Sequence, residues 1–177
     1  MPEQPELRGA GHFEGHTHIL PIRIYYEDTD LSGLVYHANY LRYMERGRSE
    51  FFRSAGITRL AMLADRVASA WTLRRASLEF VRPARIDDLI EVHTRATALG
   101  GARMTADQAI YCDSHLLTQG RVEACIITLA GRPRRIPPDI REKLLPLVFD
   151  AKCGEAGAQI RPCSNARVET ARSARLP

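Results

Sequence analysis

The chain has 177 residues and a formal net charge of +4, with 45% hydrophobic and 26% charged residues. This composition is typical of one folded globular domain and argues against a disordered chain or a two-domain protein. No run approaches the roughly 20 apolar residues of a membrane-spanning helix, and the N-terminus lacks the apolar core of a signal peptide. We therefore expect a cytoplasmic protein without a transmembrane segment.

Cysteine, histidine and lysine usage limits the classes of site. The four cysteines include no Cys-x-x-Cys pair, so the sequence predicts neither a disulfide framework nor a zinc site. His12, His16 and His18 are loosely spaced in a polar segment and do not predict a metal site. Positive charge comes almost wholly from arginine, since the only lysines are Lys143 and Lys152. A phosphate-bearing ligand, an acidic protein partner and plain composition bias all fit this pattern. Only the positive net charge supports nucleic-acid binding, so this function is not expected.

The chain divides into three segments. Residues 1–18 form a polar leader that we expect to be flexible, and residues 19–149 form one compact domain. Residues 150–177 are rich in Ala, Arg and Ser and have no hydrophobic period. We expect this tail to be disordered.

The domain opens with a predicted strand and continues with a long predicted helix. Leu20, Ile22, Ile24 and Tyr26 alternate on one face, which is the period of a strand. A helix of about four turns follows. Its N-cap is Asn39, or its boundary lies at His37 or Ala38. The helix buries a stripe at three- and four-residue spacing that consists of Tyr40, Met44, Gly47, Phe51 and Ala55.

Two features of this helix carry further predictions. Gly47 lies on the buried stripe, where glycine costs about 1 kcal/mol in helix propensity relative to alanine, and this indicates close packing against a sheet. Glu45 and Arg48 are three residues apart, and we expect them to form an ion pair on the helix surface.

The remaining body is predicted as a short helix over 58–65, four strands and a terminal helix. A change of phase predicts a β-bulge near Arg74 or Arg75, and Gly100-Gly101 predicts a hairpin. We expect the four strands to form an antiparallel meander. The fold class is therefore α+β, with a five-stranded antiparallel sheet wrapped around one long helix. Such a sheet leaves open edges, so we expect a dimer.

The stretch EDTDLSGLVYHANY, Glu27 to Tyr40, contains more acidic residues than a turn or a helix cap requires. It connects the first strand to the helix, and Gly33 allows a close turn within it. The helix N-terminus presents unpaired amides that can stabilise an oxyanion. A carboxylate a few residues upstream can attack a carbonyl or deprotonate a water. The loop is therefore a candidate active site.

The segment YYEDTDLSGLVYHANYLRYMERGRSEFF resembles the signature of the 4-hydroxybenzoyl-CoA thioesterase branch of the hotdog-fold superfamily. Within that branch it is most similar to the Tol-Pal-associated acyl-CoA thioesterases of the YbgC family. The resemblance continues through RVASAWTLRRASLEFVRPARIDDLIEV and PRRIPPDIREKL and spans roughly residues 20–149. It implies a hotdog fold, a homodimer or homotetramer with active sites at the dimer interface, and an acyl-CoA substrate. It implies no cofactor, since coenzyme A is part of the substrate.

The resemblance also assigns roles within the loop. It implies that Asp30, rather than Asp28, is the catalytic carboxylate, acting as nucleophile or general base. His37 is expected to line the site, with its backbone amide polarising the thioester carbonyl. Glu27 and Asp28 are interpreted as structural. The positions expected to bind substrate are Tyr26, Gly33, Val35, Tyr36 and Asn39.

Three other functions compete with thioester hydrolysis. The same fold can dehydrate acyl-carrier substrates, although the Asp-Thr-Asp context argues against this reaction. The chain can also be a non-catalytic scaffold that binds acyl carrier protein or associates with Tol-Pal. Nucleic-acid binding is the weakest alternative. Some arginines of the sheet region can meet coenzyme A phosphates or an acidic carrier protein, and the candidates are Arg74, Arg75, Arg82, Arg85 and Arg95.

Overall fold

A computed structural model describes residues 10–149 of the chain. The predicted tail, 150–177, and residues 1–9 of the predicted leader lie outside the described residues. The described strands are β1 (His12–Glu14), β2 (Thr17–Arg23), β3 (Ser69–Phe80), β4 (Leu89–Leu99), β5 (Arg103–Cys112) and β6 (His115–Thr128). The α-helices are α1 (His37–Ser54), α2 (Arg59–Ala64) and α3 (Pro138–Leu144), and 3-10 turns occupy Tyr26–Asp28 and Leu145–Leu147.

The strands form one antiparallel sheet in the order β1-β2-β4-β5-β6-β3. The prediction of one long helix on an antiparallel sheet is confirmed, and the sheet has six strands rather than five. The predicted meander holds for β4, β5 and β6 but is wrong at β3. β3 pairs with β6 because β2 already occupies the other edge of β4. The predicted bulge is confirmed as a register shift between Leu73 and Arg75.

The additional strand lies in the segment predicted as a leader. β1 forms a hairpin with β2, in which Phe13 lies opposite His18. Phe13 also packs edge-on against His18 and Phe51, with ring centroids 5.1 and 5.4 Å away. Residues 12–14 and 17–18 of the segment predicted as a leader therefore take part in the sheet. A strand of three residues is too short to show a period in the sequence.

The helix α1 begins three residues before the favoured prediction, at the alternative boundary His37. Its N-cap is Tyr36, so Asn39 is the third residue of the helix and not its cap. The predicted buried stripe is confirmed, with Tyr40, Met44 and Phe51 all less than 4% exposed. The short predicted helix is also confirmed as α2, and the predicted terminal helix is α3.

Gly47 sets the distance between α1 and the sheet. A Cβ at this position would lie 2.7 Å from Val92 Cγ1 and 2.9 Å from Thr94 Oγ1. Both contacts are too short for real carbon and oxygen neighbours. The absence of a side chain at Gly47 is therefore what allows α1 to approach β4 so closely.

A buried polar network fastens the helix beside this contact. Gln108 on β5 donates its amide hydrogens to Met44 O and Thr94 Oγ1, both at 2.9 Å. Its Oε1 accepts a hydrogen bond of 2.6 Å from Arg48 Nη1. The predicted ion pair between Glu45 and Arg48 is wrong, because Arg48 is only 9% exposed and Glu45 pairs with Arg59.

The sheet face opposite α1 is partly covered. His93 is 1% exposed, and its ring centroid lies 4.9 Å from that of Tyr111. The guanidinium of Arg95 lies 4.4 Å from the ring centroid of Phe149, whose amide donates to Ala96 O. Among residues 10–149, the helices all fall short of the length and apolar character required to cross a membrane.

Replacing Gly47 by alanine tests the close approach of α1. The added methyl meets the stiff, buried Val92 side chain, and overpacking of this kind costs about 1–3 kcal/mol. Alanine regains about 1 kcal/mol of helix propensity, so we expect Gly47→Ala to lower the free energy of unfolding by about 1 kcal/mol. Urea denaturation measures this difference. The exposed helix position Arg42 provides the control, since Arg42→Ala is expected to change stability by less than about 0.5 kcal/mol. A Gly47→Ala protein more stable than wild type contradicts the interpretation.

His18 makes stability depend on pH. Burial lowers the pKa of His18 from 6.5 to about 4. In the unfolded chain His18 is protonated below pH 6.5, whereas in the folded chain it is protonated only below about pH 4. The free energy of unfolding therefore falls as the pH drops through this window. Over the whole window, this effect of His18 lowers the free energy of unfolding by about 3 kcal/mol. Burial also lowers the pKa of His93, which acts in the same direction.

Denaturation of wild type and His18→Phe at several pH values between 4 and 7 tests this assignment. The variant keeps an aromatic ring against Phe13 and Phe51 but cannot take up a proton. We expect its stability to fall less steeply with acid than that of wild type. Equal slopes for the two proteins overturn the assignment to His18.

Candidate active site

The acidic loop folds as a small hairpin that leads directly into α1. Asp30 N donates to Leu34 O at 3.0 Å, and Thr29 forms an antiparallel bridge with Val35. The tip is closed by a hydrogen bond from Gly33 N to Asp30 O, and Gly33 has a φ of +72°. Glycine adopts this left-handed conformation without steric cost. The hairpin thus holds Asp30 at its tip and delivers the chain to the helix N-terminus.

Asp28 joins the base of this hairpin to the helix. Its carbonyl accepts hydrogen bonds from Tyr36 N at 3.0 Å and from Asn39 Nδ2 at 2.9 Å. Its carboxylate oxygen Oδ2 accepts a hydrogen bond from Tyr25 N at 2.9 Å. These contacts agree with the structural role predicted for Asp28, and they give Asn39 a positioning contact inside the protein, where it is 7% exposed.

Asp30 presents an exposed, ionised carboxylate. Its Oδ1 accepts hydrogen bonds from Ser32 N at 2.8 Å and from Ser32 Oγ. These bonds, chiefly that of the hydroxyl, hold the pKa of Asp30 below its ordinary value, and the proximity of His37 acts in the same direction. No described residue hydrogen-bonds the other oxygen, Oδ2. One oxygen therefore fixes the carboxylate and the other faces outward.

The N-terminus of α1 lies beside this hairpin without a side-chain cap. The amide of Asn39 donates to Tyr36 O at 2.8 Å. The amides of His37 and Ala38 precede the first full helical turn, so the helix itself offers them no acceptor. Such amides, at the positive end of an 18-residue helix, are suited to binding a developing oxyanion.

The side chain of His37 lies in an aromatic cluster that the loop sequence did not reveal. Its ring centroid is 4.4 Å from that of Tyr36 and 6.5 Å from that of Phe80. Phe80 also packs edge-on against Tyr40, at 5.6 Å, and is 52% exposed. The strand period of β3 indicated that Phe80 shares a face with Leu78, but not that this face reaches His37.

The loop between β3 and β4 contacts both the hairpin and the first turn of α1. Val35 N donates to Ala84 O at 2.9 Å, and Leu34 forms an antiparallel bridge with Arg85. Ala84 N donates to the hydroxyl of Tyr40 at 2.8 Å. The hairpin, the first turn of α1 and the β3–β4 loop are thus one connected unit.

The structure places the five predicted substrate-binding positions in three different settings. Tyr26 lies in the 3-10 turn and is 83% exposed, and Tyr36 is half-exposed beside His37. Gly33 lies in the turn at the hairpin tip. Val35 and Asn39 are buried, with Val35 in the core beneath the hairpin. Of the five positions, only Tyr26, Gly33 and Tyr36 are therefore exposed.

Metal ligation is not provided by the part of the chain that the structure describes, since it contains no group of three His, Cys, Asp or Glu side chains that could hold a metal ion. The groups that the hairpin and the helix N-terminus present are the Asp30 carboxylate, the His37 imidazole and the amides of His37 and Ala38.

Asn39→Ala tests the connection between the hairpin and α1. The substitution removes the hydrogen bond to Asp28 O, but Tyr36 N still pairs with this carbonyl. We expect a loss of about 1 kcal/mol in the free energy of unfolding. Hydrogen exchange of the Tyr36 amide is expected to accelerate as the hairpin base loosens. Unchanged exchange at Tyr36, with Arg42→Ala as the control, contradicts this role.

Comparison with known proteins shows the family to which the chain belongs. The sequence profile described as Thioesterase superfamily matches residues 32–119. The acyl-CoA thioester hydrolase YbgC of Escherichia coli O6:H1 is 38% identical over 122 residues, which cover 68% of this chain and 90% of that protein. A probable thioesterase from Bartonella henselae has a crystal structure that is 39% identical, with a TM-score of 0.67, and covers 68% of this chain and 99% of that one.

A more distant structure shares the fold alone. The crystal structure of a 4-hydroxybenzoyl-CoA thioesterase mutant bound to 4-hydroxybenzoyl-CoA is 17% identical, with a TM-score of 0.67, and covers 72% of this chain and 98% of that one. The hotdog fold expected from the loop signature is therefore confirmed. With the extent of the match to the Escherichia coli relative, these similarities show that the chain belongs to the YbgC family of the thioesterase superfamily.

Proposed function

We propose that this protein hydrolyses the thioester of a fatty or aromatic acyl-CoA to the free acid and coenzyme A. The observation that supports this most directly is the outward-facing carboxylate of Asp30, fixed by Ser32 on a hairpin that ends at an uncapped helix N-terminus. The names of the relatives, which are acyl-CoA thioesterases, support the same reaction. A fixed carboxylate beside unpaired amides is the combination that acyl transfer to water needs.

Two routes are compatible with this arrangement. In the first, Asp30 takes a proton from water, and the water oxygen forms a bond to the thioester carbonyl carbon. In the second, Asp30 itself forms that bond, giving an anhydride that water then hydrolyses. In both routes the amides of His37 and Ala38 stabilise the oxyanion, the carbon–sulfur bond breaks, and the thiolate leaves and takes up a proton.

The electrostatics of Asp30 suit both roles at neutral pH. Because the hydrogen bonds from Ser32 lower its pKa, the carboxylate is ionised throughout the physiological range. A low pKa makes it a weaker base, but a thiolate is a fair leaving group and needs little acid assistance. Single turnover in ¹⁸O-labelled water identifies the nucleophilic route if the label appears in Asp30, which happens when water attacks the aspartyl carbon of the anhydride.

The acyl group requires an apolar enclosure, and we propose that a second subunit completes it. Large apolar side chains of the hairpin, of its flanks and of the cluster around His37 are exposed in a single chain: Tyr25, Tyr26, Leu31, Tyr36 and Phe80. Within the described sheet β3 is an edge strand, paired on one side only. Edges and apolar patches of this kind are commonly covered in an oligomer. A homodimer, with a homotetramer as its possible extension, is therefore part of the proposal.

Asp30→Asn tests the proposed carboxylate, because it keeps the size of the side chain and removes the charge. We expect thiol release from short, long and aromatic acyl-CoAs to fall about 10²- to 10⁴-fold. Glu27→Gln is the matched control in the same loop and is expected to retain activity within about twofold, in line with the usually small effects of surface substitutions. Equal activity of Asp30→Asn and wild type would exclude Asp30 from the reaction.

The same assay separates hydrolysis from the scaffold alternative. If wild type releases no thiol from any acyl-CoA, the panel is repeated with acyl carrier protein thioesters. Failure with both substrate classes favours a non-catalytic protein that binds acyl carrier protein through the same fold.

A further inference from the structure

We infer that Tyr40 is a positioning residue for hydrolysis, which holds the amides of His37 and Ala38 in the direction that an oxyanion requires. The inference rests on the proposed function, in which these two amides stabilise the oxyanion. It assigns a task to a core side chain that lies outside the hairpin and contributes no group to the reaction itself.

The buried hydroxyl of Tyr40 is what sets this side chain apart from an ordinary core residue. Tyr40 is 3% exposed, and its ring packs edge-on against Phe80 and Tyr43, with centroids 5.6 and 6.1 Å away. A phenylalanine would fill the same space without the cost of burying a polar atom. The hydroxyl accepts a hydrogen bond of 2.8 Å from Ala84 N. This bond is therefore what the hydroxyl adds to the position.

The bond completes a closed circuit through Ala84. The carbonyl of Ala84 accepts a hydrogen bond of 2.9 Å from Val35 N, while its amide donates to Tyr40. A single buried residue, 0% exposed, therefore binds both ends of the segment from Val35 to Tyr40. His37 and Ala38 lie between these two ends, at the start of α1. The circuit thus fixes the chain on either side of the two amides.

The amides of His37 and Ala38 depend on this support. Within residues 10–149, neither amide donates a hydrogen bond to another group of the backbone, so the flanking chain alone sets their direction. Asp28 O fixes this chain on the side of the hairpin, and Ala84 fixes it on the side of the β3–β4 loop. Because hydrogen bonds weaken steeply as their angle departs from linearity, a misdirected amide stabilises an oxyanion poorly.

Tyr40→Phe tests the role of the hydroxyl, because it removes one oxygen and keeps the ring. The oxyanion forms only as the thioester reacts, so misdirected amides slow the reaction without weakening substrate binding. We expect kcat for acyl-CoA hydrolysis to fall about 10- to 100-fold, while KM stays within about twofold. An unchanged kcat, or a rise in KM alone, overturns the inference.

Ile126→Val is the matched control for a loss of stability. Ile126 is 0% exposed and belongs to the core cluster that contains Phe51, whereas Tyr40 belongs to the cluster that contains Val35. Removing one buried methyl group destabilises the protein at a distance from the site. We expect kcat of this variant to stay within about twofold of wild type. An equal fall in kcat for both variants assigns the loss to stability and overturns the positioning role.

Infrared spectroscopy of an acyl-CoA with a ¹³C-labelled carbonyl provides a readout that does not depend on turnover. In Asp30→Asn, for which we expect slow turnover, the stretching frequency of the bound thioester carbonyl reports the hydrogen bonds that it accepts. Hydrogen bonds to a carbonyl lower this frequency. We therefore expect a higher frequency in Asp30→Asn/Tyr40→Phe than in Asp30→Asn, and equal frequencies overturn the inference.

The same readout separates this inference from the proposed function. If wild type releases no thiol from any acyl-CoA, the carbonyl frequency is compared between wild type and Tyr40→Phe. A higher frequency in Tyr40→Phe then upholds the positioning of the amides and refutes the hydrolase. A wild-type protein that does not bind acyl-CoA overturns both.

Hydrogen exchange in wild type tests the contact itself and needs no variant. Because Ala84 N donates to the buried hydroxyl of Tyr40, we expect its exchange to be slow. Exchange of the Ala84 amide at the rate of an unstructured peptide overturns the inference, including the case in which Tyr40→Phe does not fold.

Discussion

The architecture depends on how closely α1 approaches the sheet. At Gly47 the helix backbone lies so near β4 that a methyl group would overlap Val92 and Thr94. Gln108 then spans the contact, because its amide satisfies Met44 O and Thr94 Oγ1 while its carbonyl binds Arg48. A buried polar group is costly unless it is fully paired, so this network admits one register of helix on sheet. Both the distance of α1 from the sheet and its register on the sheet are thereby fixed.

The helix α1 in turn positions the candidate site. The hairpin around Asp30 is bonded through Asp28 O to Tyr36 and Asn39, so its base moves with the first turn of α1. Its tip is shaped locally by Ser32 and Gly33. The Asp30 carboxylate and the uncapped helix end are therefore held by separate short-range contacts that share one rigid support. This arrangement lets the tip of the loop remain exposed while its position stays defined.

Much of the fold could be predicted from the sequence, because the apolar residues of a buried face recur along the chain with the period of a helix or a strand. The stripe through Tyr40, Met44 and Phe51 and the bulge beside Arg74 are of this kind. Periodicity reports which face is buried but not which strand lies beside which, and the position of β3 next to β6 was therefore missed. The charge of Arg48 predicts a surface position, but Arg48 lies at the flank of the buried stripe and is only 9% exposed. The catalytic interpretation of Asp30 came from the loop signature, since spacing alone did not separate it from Asp28.

The hydrogen bond between Ala84 N and the hydroxyl of Tyr40 has a thermodynamic consequence. It links the β3–β4 loop to the first turn of α1 through a backbone donor that is itself buried, since Ala84 is 0% exposed. Separating the loop from the helix would leave this amide without an acceptor, and a buried unpaired donor costs about 1–3 kcal/mol. The loop and the helix turn therefore open together or not at all.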